Sequence, residues 1–396
     1  MSRSASMRPF WRITIDPLLG TVSAALLLIG LVMVASSSIA IADRDLGSPY
    51  YYLNRQLVFL LIGVAGSAIT LMTPTRVWER LSVVALVLAL ILLITVLLPG
   101  VGHTVNGSTR WLPLGPVKLQ VSEPVRLLLL IYIAGYLVRR HEYLRESLGG
   151  FVKPMLLITL ASTLLLAEPD FGAAAVLLGT VLVVMFIGGV RWRDLFLLVT
   201  AAGVSLAGLA LSSPYRLQRL TTFLDPWADP YNSGFQLTQS LIAVGRGGVT
   251  GVGLGGSVQK LFYLPEAHTD FVFAVLAEEF GLVGSIGTIL LFALLVWRCF
   301  DVARQAGATG LAFQSYLVYG IGVWLGAQAF INIGVSMGVL PTKGLTLPFI
   351  SYGGSSLLVC CLALALVLRV HHETGISSRA ASPRKPAKSG RNKARR

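Results

Sequence analysis

The chain has 396 residues, of which 55% are hydrophobic and only 13% are charged, and its mean hydropathy is +0.74. Soluble domains carry about 25% charged residues, so the composition excludes an ordinary soluble enzyme and indicates a protein that crosses a membrane several times. The net charge of +14 alone would suit a nucleic-acid-binding protein, but the basic residues lie between apolar segments and in a basic tail, so we expect no nucleic-acid partner.

Ten apolar segments approach the roughly 20 residues that a membrane-spanning helix needs. The predicted spans are, in chain order, residues 18–42, 56–73, 78–98, 122–138, 152–167, 171–190, 193–211, 270–297, 312–337 and 351–370. The predicted fold class is therefore an all-α polytopic membrane protein with about ten transmembrane helices. A large loop, about residues 212–269, separates spans 7 and 8.

The basic residues predict the orientation of the chain. With ten spans both termini share one side, and that side would hold most of the 32 lysine and arginine residues, although its loops are the shorter ones. Lys and Arg are enriched in cytoplasmic loops, so residues 1–17 and 371–396 are predicted to be cytoplasmic in a multi-pass membrane protein. Residues 371–396 are rich in Pro, Ser, Lys and Arg, which predicts a disordered basic tail.

The N-terminal segment argues against a cleaved signal peptide, and the cysteines argue against a disulfide framework or a metal site. Residues 1–17 lead into an apolar run too long for a signal-peptide core, so the first helix is expected to remain in the protein. Cys299, Cys360 and Cys361 lie in or near predicted spans, without the spacing of a disulfide framework or a metal site.

The large loop contains two distinctive stretches. Residues 216–224, "RLQRLTTFL", have the apolar spacing of a short interfacial helix. Residues 245–256 include seven glycines, but no Gly-Lys-Ser/Thr follows and no strand–turn–helix context surrounds them, so neither a phosphate loop nor a dinucleotide loop is indicated. A tightly turning segment and a mobile flap over a substrate groove both fit this stretch.

Acidic residues stand where several predicted spans begin or end, and ionisable groups in membrane spans are commonly functional. Glu123 and Arg126 are three residues apart on one helix face. They could have a functional role, or they could form a local ion pair that anchors the helix end. Asp170 precedes a span and could be a functional acid or a helix N-cap. Glu278 and Glu279 lie deeper in the eighth span, where we expect one of them to bond to a neighbouring helix.

The stretch "YLPEAHTDFVFAVLAEEFG", residues 263–281, places three ionisable groups at the entry to a span. Asp270 could simply cap the helix. However, Glu266 and His268 stand close by in the sequence, and a carboxylate beside hydrocarbon has a raised pKa and is a better general base. This favours a chemical role for Asp270.

Basic residues on the same predicted side complement these acids: Arg110, Lys118, Arg216, Arg219, Arg246, Lys260 and Lys343. Bases can hold phosphates while an acid activates a hydroxyl. The residues alone therefore indicate a lipid-phosphate enzyme or transporter that works at the outer side of the membrane.

Five sequence blocks closely resemble the SEDS family (shape, elongation, division and sporulation). They are "NGSTRW", "EPDFGAA", "RLTTFLDPWADPYNSGFQLTQSLIAVGRGGVTGVGLGGS", "LPEAHTDFVFAVLAEEFG" and "LPTKGLTLPFISYGGSS", in the family's order. The resemblance covers about residues 15–370. The last block is similar to the cell-division branch, because the elongation branch usually has a more apolar stretch where Thr342, Lys343 and Gly344 stand.

The resemblance implies a ten-span peptidoglycan glycosyltransferase of the bacterial cytoplasmic (inner) membrane. It would polymerise lipid II, an undecaprenyl-diphosphate-linked disaccharide-pentapeptide, into glycan strands at the septum. It also implies a class B penicillin-binding transpeptidase as partner, together with other divisome proteins. The family's essential acids match Asp270, Glu123 and Asp170. The chain departs from the family pattern at Glu168, where Gln is common, and at Arg126, where Lys is common.

The expected mechanism is a single inverting displacement with Asp270 as the general base. The leaving diphosphate and the substrate would be bound by some of Arg110, Lys118, Arg126, Arg246, Lys260, His268, Lys343 and Glu266. A divalent cation, Mg²⁺ or Mn²⁺, held by acids is a further expectation from the resemblance, although no clean metal-ligand set is visible in the sequence. A lipid II flippase and a non-catalytic scaffold are the rival functions.

Overall fold

The computed structural model describes residues 14–105, 108–115, 117–211 and 222–381. Thirteen α-helices lie in full within these residues, and many of them pack against their neighbours in the chain to form a bundle. The helices are α1 (Pro17–Leu46), α2 (Tyr51–Met72), α3 (Thr75–Arg80), α4 (Ser82–Leu97), α5 (Ser122–Arg139), α6 (His141–Glu146), α7 (Leu148–Ala167), α8 (Phe171–Ile187), α9 (Trp192–Leu211), α10 (Phe235–Gly247), α11 (Val272–Ala308), α12 (Ala312–Ser336) and α13 (Gly354–Ala381).

Six helices of the described residues are long and apolar enough to cross a membrane: α1, α2, α7, α11, α12 and α13. Two shorter helices, α4 and α8, are also apolar. A helix lies at each of the ten predicted segments, because α5 and α9 occupy the remaining two. The fold is thus a mainly helical polytopic membrane fold, and the number of ten crossings stays a prediction.

Local sequence signals explain where α1 begins and ends. Asp16 precedes the helix and its side chain accepts a hydrogen bond from the backbone N–H of Leu19 at 2.9 Å, with Pro17 at the first helical position. The helix ends at Gly47, whose φ of 65° is left-handed. Between these ends the buried face of α1 includes Leu26 and Met33, which pack into the main core.

The fold is mainly helical as predicted, but it is not entirely α-helical, because three short strands between residues 103 and 120 form an antiparallel sheet. Its strands are β1 (His103–Val105), β2 (Ser108–Leu114) and β3 (Val117–Gln120), and Trp111 of β2 pairs with Gln120 of β3. The strands are short and interrupted by Gly and Pro, so no long alternation marks them in the sequence. We call the end of the bundle that carries this sheet the sheet face.

The eighth predicted span, α11, is broken at Gly281, where φ is 62° and ψ is −157°. The turn of residues 248–253 replaces the helical hydrogen bonds that the break removes. Its Gly248 and Val249 carbonyls accept from the N–H groups of Leu282 and Val283 at 2.9 and 3.2 Å, and its residues 252 and 253 donate to the carbonyls of residues 278 and 279 at 3.0 Å. The glycine-rich stretch is therefore a tight turn packed into a broken helix, rather than a loose flap.

The C-terminal end of the chain differs in part from the prediction. Helix α13 continues to Ala381, so the predicted disorder was wrong for residues 371–381; residues 382–396 lie outside the described residues. The helix forms because residues 371–378 still pack through His372 and Thr374, which are buried.

Most of the predicted interfacial helix at 216–224, with Arg216 and Arg219, also lies outside the described residues. The three cysteines are buried free thiols.

Candidate active site

The segment that carries Asp270 is held by hydrogen bonds to its backbone. Asp270 lies two residues before α11, and Asn332 of α12 donates from its side-chain amide to the carbonyl oxygens of Asp270 at 2.8 Å and Leu345 at 2.6 Å. Ser351 donates to the carbonyl of Thr269 at 2.6 Å. These contacts fix Asp270 between α12 and the segment of residues 340–353.

The carboxylate of Asp270 is not used as a helix cap. Helix α11 has Phe271 at its N-cap and no side-chain capping bond. Burial, together with the negative charges of Glu266 and Asp170, raises the pKa of Asp270 to about 7, against the opposing effect of Arg110. A carboxylate with a pKa near the working pH is suited to take a proton from a hydroxyl.

Glu266 and His268 flank Asp270 in different ways. Glu266 has a left-handed φ of 55°, and its carboxylate accepts a hydrogen bond from the Thr269 hydroxyl at 2.7 Å. The buried ring of His268 packs against Tyr52 and Tyr352, with ring centroids 4.6 and 5.7 Å away. Burial lowers the pKa of His268, so its imidazole is neutral at pH 7. The ring is thus a neutral member of an aromatic cluster.

The corner between α7 and α8 brings a second acid to the sheet face. Asp170 caps α8 by accepting from the backbone N–H of Ala173 at 3.1 Å, so the N-cap interpretation is confirmed. Arg110 of β2 donates to the carbonyls of Pro169 at 2.6 Å and Glu168 at 3.2 Å. Both Arg110 and Asp170 act electrostatically on Asp270, which places the three charges in one region.

The third predicted acid, Glu123, pairs with Arg126 at 3.4 Å in the first turn of α5. Both side chains are almost completely buried. Arg126 also donates to Gln328 at 2.6 Å and lies over the ring of Trp324 at 5.3 Å. Its Nε and Nη2 have no hydrogen-bond partner within the described residues, so this guanidinium retains unused donors. The Glu123 carboxylate is within electrostatic reach of Asp170.

The remaining predicted bases fall into two groups. Arg246 and Lys260 form ion pairs with the buried Glu278 at 2.9 Å and Glu279 at 2.6 Å. The expectation that one of these glutamates is structurally bonded is confirmed, and in fact both are. The structure therefore does not bring Arg246 and Lys260 to Asp270 as free charges.

Lys343 and Lys118 remain without a carboxylate partner among the described ion pairs. Lys343 is half-buried next to Gly344, and burial lowers the pKa of its ammonium group. Lys118 is exposed on β3, with its Nζ 2.7 Å from Nε2 of His103. Both lysines can approach an anionic substrate at the sheet face.

The described part of the chain shows no ready site for the expected divalent cation. There, no group of three or more His, Cys, Asp or Glu side chains lies close enough to hold an ion. Together the acids and bases of the sheet face can bind an anionic, phosphate-bearing molecule and remove a proton next to it.

Sequence reasoning missed three polar residues of this region: Glu168, Gln328 and Asn332. Gln328 and Asn332 are four residues apart and buried in the otherwise apolar α12, so their spacing on one helix face was an available signal. Glu168 lies in the "EPDFGAA" block, where its one signal in the sequence is the departure from the Gln that is common in the family.

Comparison with known proteins assigns the class. The chain belongs to the family of multi-span membrane proteins that includes FtsW, RodA and SpoVE, because the family model FTSW_RODA_SPOVE, described as "cell cycle protein", matches residues 17–376. This is the SEDS family indicated by the sequence motifs.

Two curated relatives with high identity are named as FtsW proteins. A probable peptidoglycan glycosyltransferase FtsW of Thioalkalivibrio sulfidiphilus is 57% identical over 350 residues, covering 88% of each chain. The corresponding protein of Nitrosococcus halophilus is 55% identical over 363 residues, covering 91% of this chain and 94% of its own. This bears out the resemblance to the cell-division branch.

Solved structures support the fold. One chain from a peptidoglycan synthase complex, studied for the coordination of polymerization and crosslinking, has a TM-score of 0.77 and 32% identity, covering 91% of this chain and 98% of its own. The rod-shape-determining protein RodA of Thermus thermophilus has a TM-score of 0.68 and 32% identity, covering 92% of this chain and 99% of its own.

Proposed function

We propose that the chain is a peptidoglycan glycosyltransferase that polymerises lipid II into β-1,4-linked glycan strands. The observation that carries this proposal is the carboxylate of Asp270, whose pKa is raised to about 7 and which lies in one region with Arg110 and Asp170. The names of the FtsW relatives, at up to 57% identity over most of the chain, supply the reaction class.

The reaction follows as one displacement. Asp270 accepts the proton of the 4-hydroxyl of the acceptor lipid II, and that oxygen attacks the anomeric carbon of the growing strand. The new carbon–oxygen bond forms as the bond to the diphosphate breaks, and undecaprenyl diphosphate leaves with the electron pair. One displacement inverts an α-linked donor to a β-linked product without a covalent intermediate.

The departing diphosphate needs positive charge, which Arg110, Lys118, Arg126 and Lys343 can supply. Arg126 is the strongest of these candidates, because two of its nitrogen donors have no partner within the described residues. Glu123 keeps Arg126 in place through their ion pair. Asp170 caps α8 and so stabilises the corner whose carbonyls accept hydrogen bonds from Arg110. A divalent cation, Mg²⁺ or Mn²⁺, remains part of the proposal, but no step is assigned to it.

The setting is proposed from the same resemblance and from the distribution of charge. The chain would cross the inner membrane ten times with both termini in the cytoplasm, so that the sheet face and the large loop of residues 212–269 lie outside the cytoplasm at the division septum. Its partners would be a class B penicillin-binding transpeptidase and other divisome proteins. The synthase complex among the structural relatives supports a transpeptidase partner.

The rival function, a lipid II flippase, needs a polar route through the whole membrane. Asp270, Asp170 and Arg110 lie together at the sheet face instead, and the relatives are named glycosyltransferases. Both observations favour transfer over flipping.

The test is a gel assay for glycan strands with purified protein and labelled lipid II, alone and with the cognate transpeptidase. Wild type is compared with Asp270→Asn, which keeps the shape of the side chain but cannot accept the proton. We expect polymer from wild type and a loss of at least a hundredfold in the variant.

Folding of the variant is checked by its melting curve in detergent, and Asp229→Asn serves as the matched control, since Asp229 is a loop acid bonded to Asn232 and Ser233. Equal polymer from Asp270→Asn would remove Asp270 from the chemistry. No polymer from wild type, even with the partner, would return the flippase to first place.

A further inference from the structure

Glu168, in the corner between α7 and α8, is a buried carboxyl group without hydrogen-bond partners. Its side chain has 0% exposure, and neither of its carboxyl oxygens has a partner within the described part of the chain. A buried polar group normally finds a partner, and one that lacks it demands an explanation. Glu168 also has no place in the displacement proposed above.

The charged groups that face Glu168 do not favour its ionised form. Asp170, from the start of α8, adds a like charge, and Arg110, from β2, is the opposing cation. The Nε and Nη2 groups of Arg110 donate to the carbonyls of Glu168 and Pro169 and to the hydroxyl of Ser108, and not to the Glu168 carboxyl group. An unpaired buried carboxylate is costly, and a carboxyl group avoids this cost by keeping its proton.

We propose that Glu168 is a proton-holding positioning residue of the active site: it stays neutral while the enzyme works, and the loss of its proton draws Arg110 away from Asp270 and the substrate phosphates. This inference rests on the proposed glycosyltransferase function. It assigns Glu168 an action through Arg110 and the Asp170 corner, without contact with the substrate.

The pKa of Glu168 lies above that of Asp270, within the pH range of an activity assay. Burial raises the pKa of Glu168 to about 8, with Asp170 adding to the shift and Arg110 opposing it. Below this value the carboxyl group is neutral, and as the pH rises through it a third negative charge appears beside Asp170 and Asp270. Asp270 must instead lose its proton to act as a base, at a pKa of about 7. Both groups are in their working states between these two values, which predicts a bell-shaped pH profile.

The test is the pH dependence of kcat/KM for lipid II polymerisation from pH 6 to 9.5. Wild type is expected to lose about tenfold per pH unit above its alkaline pKa. Glu168→Gln, which carries a permanently neutral side chain of the same shape, should keep its neutral-pH activity up to pH 9.5. Glu142→Gln is the matched control, because Glu142 is exposed on α6 and forms no ion pair in the described structure; it should retain the alkaline loss of wild type.

A second readout does not depend on turnover. Infrared difference spectra between pH 7 and pH 9.5 should show loss of protonated-carboxyl absorption in wild type and in Glu142→Gln. Asp270 also loses protons in this range, so the loss should be smaller in Glu168→Gln, and Asp270→Asn should keep the part that belongs to Glu168. If wild type makes no polymer at any pH, the proposed function fails, and the infrared experiment still decides the protonation of Glu168.

Three results would overturn the inference. The first is an unchanged alkaline limb in Glu168→Gln, which would indicate Lys343, whose ammonium pKa is lowered by burial. The second is a folded Glu168→Gln that is inactive at pH 7, since the neutral side chain would then be insufficient. The third is an infrared band loss that is the same with and without Glu168.

Discussion

At the scale of single residues, Gly344 controls the space in front of the proposed base. A Cβ atom at this position would lie 2.8 Å from Oδ2 of Asp270, which is too close for an ordinary contact. Gly344→Ala should therefore displace the carboxylate and lower the polymerisation rate by about tenfold to a hundredfold, since small misplacements of a catalytic group are costly. Initial rates with labelled lipid II measure the effect.

Gly353→Ala is the matched control for this prediction. It lies in the same segment of residues 340–353, and its added Cβ would meet Thr346 and Ser356 at 3.4 and 3.5 Å, which are ordinary contacts. Its activity should stay near that of wild type. Equal rates for the two variants would show that the contact with Asp270 does not limit the reaction.

Glu266 offers a separate check on Asp270, through pH. The negative charge of Glu266 raises the pKa of Asp270, so its removal should lower that pKa. Below the pKa, activity falls about tenfold per pH unit as the base becomes protonated. In Glu266→Gln this acid limb should move to lower pH, and the pH–rate profile between pH 5 and 8 reports it. A limb that stays in place would contradict the assignment of Asp270 as the titrating base.

At the scale of elements, the junction between the glycine turn and the broken α11 depends on close backbone contact. A Cβ at Gly251 would lie 2.1 Å from the carbonyl oxygen of Glu279, and the φ of Gly251 is +83°. Gly251→Ala should destabilise the fold by about 2 to 5 kcal/mol, from left-handed strain together with overpacking. The stability of the purified protein in detergent, followed by chemical unfolding, measures this.

The neighbouring Gly253 separates the two causes. Its φ is +94°, but an added Cβ would meet nothing within 4 Å. Gly253→Ala should therefore show only the strain, about 1 to 2 kcal/mol. If the two variants lose the same stability, the turn is not packed into α11 as the structure has it.

These elements also show how far the sequence could predict the fold. Long apolar runs predict helices because a helix satisfies its own backbone in lipid, and a helix lies at every predicted segment. The sheet of residues 103–120 depends instead on pairing between short segments, and the turn–helix junction depends on glycines 30 residues away from the break at Gly281. Neither leaves a periodic signal along the chain.

The candidate site divides in the same way. Asp270, Asp170 and Glu123 stand at span ends, where acidic residues are conspicuous against apolar neighbours. The pairing of Arg246 with Glu278 and of Lys260 with Glu279 could not be predicted, because the partners are 32 and 19 residues apart and meet only through the fold. The lack of partners around Glu168 likewise becomes visible only when the corner is packed.

At the scale of the whole molecule, the proposed chemistry requires the sheet face to lie outside the cytoplasm. The proposed ten-span topology would place Tyr231, between α9 and α10, on that side and Glu142, in α6, in the cytoplasm. Tyr231 is 85% exposed and Glu142 is also exposed, and all three native cysteines are buried, so background labelling should be low. Single Tyr231→Cys and Glu142→Cys variants therefore report the orientation of the chain.

In cells whose outer membrane has been permeabilised and whose inner membrane is intact, a membrane-impermeant maleimide should label Tyr231→Cys and leave Glu142→Cys unlabelled. Disruption of the inner membrane should then allow Glu142→Cys to react, which serves as its positive control. Labelling of both variants in intact inner membranes would contradict an odd number of crossings between α6 and the large loop. Labelling of Glu142→Cys alone would invert the topology, and would place Asp270 on the side where the growing glycan strand is not found.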